Sequence, residues 1–124
     1  MENPWQLLRI LLLAQGVYYV VTAVWPLVHM RSFLWVTGPK TDLWLVRTVG
    51  LMTLVVGLQL VVGVAFLGGS LPVLLVSSLG AGLALTAIDL IYVAKRVISP
   101  IYLADAALEI LLMLAVLGAY LLAR

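Results

Sequence analysis

Four apolar runs divide this chain, at about Pro4–Val28, Leu43–Leu67, Leu71–Ala94 and Pro100–Ala123. Each is near the roughly 20 residues that an α-helix needs to cross the hydrocarbon of a bilayer. In hydrocarbon the backbone N–H and C=O groups must be satisfied within the chain, so runs of this length fold as helices. The runs therefore predict an all-α fold: an integral membrane antiparallel four-helix bundle, in a single transmembrane domain covering residues 1–124. Composition agrees, with 65% of residues hydrophobic and 10% charged, against roughly 45–50% and 25% in soluble domains. The net charge of +2 comes from scattered loop cations and makes no nucleic-acid-binding surface. With no cysteines, disulfides and thiolate metal sites are excluded. The first run follows no basic segment, begins after Glu2 and is too long for the apolar core of a signal peptide, so it reads as a retained span.

The breaks between runs carry helix-start chemistry. Asn3-Pro4 and Ser99-Pro100 each set a capping side chain before a proline at the first helical position. Thr41-Asp42 is placed to cap the second span after the breaker Gly38-Pro39, and Ser70-Leu71-Pro72 is a looser cap for the third. Gly68-Gly69-Ser70 reads as a tight turn that makes spans two and three antiparallel neighbours. The segment from Met30 to Thr41 is longer, and its Phe33, Leu34 and Trp35 predict a stretch lying on the lipid headgroups.

Charge inside the spans is the informative exception. At about 100° per residue, Tyr102, Asp105, Glu109, Met113, Val116 and Tyr120 fall on one stripe of the fourth span. Glu109 lies about two turns in, beyond the reach of its short side chain to water, and intramembrane acids almost always face a bundle interior. On the third span Ser78, Gly82, Leu85, Asp89 and Tyr92 share a side, with the small-residue pairs Ser78/Gly82 and Gly80/Ala84 allowing close helix approach. The second span offers Arg47 as counter-charge, and the first offers Gln15, Tyr18, Tyr19, Thr22 and His29 along one arc. Because the spans alternate direction, Arg47, Asp89 and Asp105 are expected in one leaflet with Glu109 below them. The expected ligand-binding or proton site is Arg47, Asp89, Asp105, Glu109, Tyr19, Tyr92 and Tyr102. Three acids against one arginine leave the charge unbalanced, so at least one carboxyl, Glu109 foremost, is expected to keep its proton. Gln59 points away from Arg47 and reads as an interhelical hydrogen-bonding residue.

Several chemistries are set aside. The chain has no P-loop, dinucleotide-binding glycine pattern, CxxC or HExxH. Its single histidine, His29, rules out a bis-histidine haem within one chain and stands at an interface, so no metal or cofactor is expected. Three functions remain. The first is binding of a small amphipathic or lipophilic molecule, with proton exchange at the acids. The second is an acid–base enzyme, isomerase-like, on a lipophilic substrate; the third is a structural subunit of a membrane complex or a homodimer. No catalytic set is assigned. Beyond the bilayer and such a ligand or second copy, no partner is expected.

Loop cations set an expected orientation. Arg31, Lys40, Lys95 and Arg96 lie on the side holding the two longer loops, against Arg9 and Arg124 on the other. The positive-inside rule places those loops in the cytoplasm and both termini outside. The stretches SFLWVTGPKTDLWLVRTVGLMTLVVGLQL and AIDLIYVAKRVISPIYLADAALE, with Arg47 followed by the spaced Gly50 and Gly57, resemble small uncharacterised bacterial four-span membrane proteins, distantly DoxX-like. That resemblance implies four helices in a bacterial inner membrane. The group's link to quinone-associated redox complexes is not carried over, because no redox-active residue here matches.

Overall fold

The computed structural model describes residues 3–66 and 70–124. The chain runs α1 (Pro4–Val28), α2 (Met30–Thr37), α3 (Leu43–Ala65), α4 (Leu71–Ala94) and α5 (Tyr102–Ala123). Four of these helices, α1, α3, α4 and α5, are long and apolar enough to cross a membrane, and the described residues contain no strand. The protein is an all-α, multi-pass membrane bundle. The Gly68-Gly69 turn lies outside the described residues.

The helix ends follow local chemistry, with adjustments. Asn3 Oδ1 accepts from the Trp5 amide at 2.9 Å, with Pro4 in the first turn. Asp42 and Ser70 occupy the N-cap positions of α3 and α4 without a side-chain cap bond. The last helix begins at Tyr102, two residues later than its proline suggests. Ser99 Oγ instead accepts from the Ile101 amide at 3.3 Å, and the Tyr102 amide donates to Ser99 O at 3.1 Å, so Ser99 organises a turn ahead of the helix.

Lipid tails are as apolar as leucine, so a bundle in hydrocarbon gains from close packing and from interhelical hydrogen bonds. The closest approach is between α1 and α3. A Cβ added at Gly16 would meet Gly57 O at 2.9 Å, and one added at Gly57 would meet Gly16 O at 2.9 Å. The two glycines therefore let two backbones touch where any side chain would separate them. Between α4 and α5, Gly82 leaves room for Met113, whose Cγ would lie 2.8 Å from a Cβ there. One end of the bundle is closed by Leu8, Leu12, Leu60, Val64, Leu74, Val116 and Ala119. At this end α3 and α4 meet through Gly63 and Leu74, and Ser77 Oγ donates to Gln59 Oε1 at 3.0 Å. Toward the other end a cavity separates them. The outer faces present side chains such as Val21, Met52, Leu83 and Leu111, all exposed and apolar, as lipid contact requires.

The segment read as resting on headgroups is the short helix α2, and it does more than rest there. Trp35 points outward, 87% exposed. Phe33 turns inward, edge-on to Trp25 with ring centroids 5.4 Å apart. Ser32 ties the two helices, its Oγ accepting from Trp25 Nε1 at 2.9 Å while its amide donates to His29 Nδ1 at 3.2 Å. The α2 helix is thus a cover on the open end of the bundle, and His29 is its exposed N-cap.

Candidate ligand-binding site

Beneath α2 lies a cavity of about 490 Å³, walled by α1, α3, α4 and α5. Its floor is polar and most of its wall is aliphatic or aromatic. Asp89, Asp105 and Glu109 all line it, as do Tyr18, Tyr19 and Tyr102. The convergence expected from helix periodicity is therefore present for α1, α4 and α5.

Glu109 is fully buried, and a chain of side chains fixes it. Ser78 Oγ donates to Gln15 Oε1. Gln15 Nε2 donates to Ser78 O at 3.0 Å and to Tyr19 OH at 3.0 Å. Tyr19 OH in turn donates to Glu109 Oε2 at 2.7 Å. The order of donors matters. Because Gln15 occupies an acceptor site of the tyrosine oxygen, the tyrosine proton is directed at the carboxyl. Ser78, Gln15, Tyr19 and Glu109 are each at most 1% exposed, so this α4–α1–α5 link runs entirely inside the bundle. Gly82 permits it, since a Cβ there would lie 3.2 Å from Glu109 Oε2.

The other two acids are held differently. Asp105 is half-buried and its Oδ1 accepts from Tyr18 OH. Asp89 is 4% exposed and faces Asp105 across the α4–α5 seam. Among the described residues three buried side-chain oxygens have no hydrogen-bond partner: Thr86 Oγ1 lies off the cavity wall, while Asp89 Oδ2 and Glu109 Oε1 belong to side chains that line it. Buried polar atoms without partners are costly, on the order of 1–3 kcal/mol each, so these two oxygens mark where the cavity calls for a donor.

Arg47 does not supply it. The arginine is exposed and is not part of the cavity wall. The inward stripe of α3 is Gly50, Gly57, Leu60 and Val64, and Arg47 sits to one side of it. At ~1.5 Å per residue Arg47 is also only about 6 Å from the start of α3, close enough for its long stem to carry the charge to the headgroups. The acids are bonded instead to tyrosine hydroxyls, and among the described residues no arginine or lysine pairs with them. Tyr92 is likewise not part of the wall. It is 37% exposed, on the outer side of α4, with Lys95 Nζ 5.7 Å from its ring centroid. The buried residues of α4 are Leu74, Ser78, Gly82, Thr86 and Asp89, and Tyr92 lies beyond the last of them.

The cation on the wall is Lys40, at the mouth. Its Nζ donates to Thr37 Oγ1 at 2.9 Å and lies 5.3 Å and 5.1 Å from the ring centroids of Phe33 and Tyr102. It clips α2 to the start of α5. Sequence periodicity had no means of finding this contact, because Lys40 stands in a loop after a glycine and a proline. Gln15, Ser78 and Tyr18 carried a weaker signal: they lay on the right faces, but which acid each would serve depends on axial offsets between helices. Compared with protein-family models, with curated proteins and with solved structures, the chain matches none.

Proposed function

We propose that the cavity binds a small amphipathic molecule whose polar head rests on Asp89, Asp105 and Glu109 and whose apolar part lies against α3 and α4. The observation that carries this reading is a cavity of about 490 Å³ lined by three carboxyl side chains, of which Asp89 Oδ2 and Glu109 Oε1 are buried without donors. That volume falls in the usual range for small-molecule pockets, about 300–1,000 Å³. Tyr18 and Tyr19 orient the acids and Tyr102 lines the mouth. Binding is coupled to protonation, because three carboxyls in one low-dielectric space without a paired cation do not all ionise together. The site sits in a bacterial inner membrane, as the DoxX-like resemblance suggests, with the loops carrying Arg31, Lys40, Lys95 and Arg96 in the cytoplasm and both termini outside.

Native mass spectrometry of the protein released from lipid nanodiscs tests this reading. The expected result is a bound small molecule in the wild type and its loss in Thr53→Trp, which fills the cavity from α3. A wild-type spectrum with protein and bilayer lipid alone would reject it. Arg47→Met, remote from the wall, is expected to leave occupancy within about twofold of wild type, a difference under ~0.5 kcal/mol. Orientation has its own test: alkaline phosphatase fused at Arg124 is expected to be active and a fluorescent reporter there dark, and the reverse pattern would overturn it.

A second reading is favoured by one specific observation, the completely buried Ser78–Gln15–Tyr19–Glu109 chain. It makes Glu109 a structural tie between helices. The two readings separate at Asp89, which has no part in that chain: Asp89→Asn lowers occupancy only if the cavity is a binding site.

A further inference from the structure

We propose that the head group this site takes is a protonated primary or secondary amine on an apolar tail, admitted in exchange for a proton. The inference rests on the cavity being a binding site, and it follows from a count of donors and acceptors. Three carboxyls reach the cavity, while the hydroxyl protons of Tyr18 and Tyr19 are already given to Asp105 and Glu109. Asp89 Oδ2 and Glu109 Oε1 remain as fully buried acceptors, on side chains 4% and 0% exposed. A head group that reaches these acids satisfies them with N–H donors. A primary or secondary ammonium does so, and its charge matches the acids. A carboxylate or phosphate head brings more acceptors and a repelled charge. A quaternary ammonium brings the charge with no N–H. A bare metal ion is a poor fit, because Asp89, Asp105 and Glu109 line one cavity but, among the described residues, no three acid or histidine side chains are gathered closely enough to hold one.

The remaining wall suits the tail. Val46 and Val49 of α3 and Leu85 and Ile88 of α4 line the cavity. Lys40 is the cation of the wall, and it is committed at the mouth to Thr37 and to the rings of Phe33 and Tyr102, so it leaves the floor acidic. The groups facing Glu109 can be named element by element. They are Tyr18 and Tyr19 from α1, Asp89 from α4 and Asp105 on α5 itself, while the α3 residues of the wall, Leu45, Val46, Val49, Gly50 and Thr53, do not titrate. When a monocation settles among these acids, one carboxyl proton leaves to the aqueous side. The charge in the cavity is then unchanged and no co-reactant is needed.

The test uses the full chain in nanodiscs of zwitterionic lipid and three probes of one tail length: decylamine, decyltrimethylammonium and decanoate. Binding is read by calorimetry, and proton release by titration in weak buffer. Decylamine is expected to bind at least about tenfold tighter than the other two, to release close to one proton per molecule, and to gain up to about tenfold in affinity per pH unit as the acids lose protons. Glu109→Gln and Asp89→Asn are each expected to lower the proton release and weaken decylamine binding about tenfold or more. Asp89→Asn, outside the buried hydrogen-bond chain, keeps the test open should Glu109→Gln fail to fold. Tight decanoate or decyltrimethylammonium binding that Thr53→Trp removes would overturn the amine assignment and leave the binding site standing. No difference between wild type and Thr53→Trp for any probe, together with no co-purifying molecule, would overturn both.

Discussion

Gly57→Leu is expected to destabilise the bundle by about 3 kcal/mol or more, enough to leave much of the protein unassembled in detergent. A Cβ at this position would already lie 2.9 Å from Gly16 O, 3.0 Å from Tyr19 Cβ and 3.0 Å from Val20 Cγ2. Two of these neighbours belong to a backbone or a first side-chain carbon, which cannot swing aside. Overpacking a rigid core costs about 1–3 kcal/mol and sometimes more, and here the strain falls on the closest helix pair. The helices must separate, and α1 carries Tyr18, Tyr19 and Gln15 away from the acids they hold. Gly80→Leu provides the control. A Cβ there meets nothing within 4 Å, so the same change on α4 is expected to cost under about 0.5 kcal/mol, the usual range for an unconstrained surface position. Steric-trap unfolding in bicelles measures both. Equal stability of the two variants would show that α1 and α3 do not pack through their glycines.

Gln15→Leu is the second large effect, expected at about 2–4 kcal/mol. The substitution removes an amide that bonds Ser78 in both directions and also donates to Tyr19. Each buried polar group left without a partner costs on the order of 1–3 kcal/mol, although single interhelical bonds in membranes measure nearer 0.6–2 kcal/mol. Two bonds between α1 and α4 are lost, and the Tyr19 proton is no longer directed at Glu109. Tyr19→Phe is expected to cost less, about 1–2 kcal/mol, since it breaks only the link to the acid and the donor from Gln15. The ordering of these two variants in thermal or steric-trap unfolding checks the chain. A larger loss from Tyr19→Phe than from Gln15→Leu would mean that Gln15 is not its hub.

How far the site could be read from sequence depends on the side chain. Glu109 and Asp105 are short acids deep in an apolar run, so helical period and desolvation together leave them one direction to face, and the cavity holds both. Asp89 follows the small-residue stripe of α4 through Ser78 and Gly82 to the same place. Arg47 was open to misplacement because its stem is long enough to take the charge back to water from a position one turn inside. Period alone does not weigh that option against a buried ion pair. Tyr92 lies near the end of α4, where a small angular drift from the stripe turns a ring from interior to lipid. The tyrosine–acid pairings and the inward turn of Phe33 depend on how far one helix is shifted along another. No single span encodes that shift.

The account turns on tyrosines of α1 holding the acids of α5 inside the bundle. Its most direct measurement is carbon–carbon recoupling by solid-state NMR in liposomes, with tyrosine ring carbons and glutamate carboxyl carbon labelled. Tyr19 and Glu109 oxygens in contact at 2.7 Å predict a strong Tyr19 Cζ–Glu109 Cδ cross-peak that disappears in Tyr19→Leu. A Glu109 carboxyl that shows no tyrosine cross-peak and correlates instead with lipid acyl chains would contradict the account.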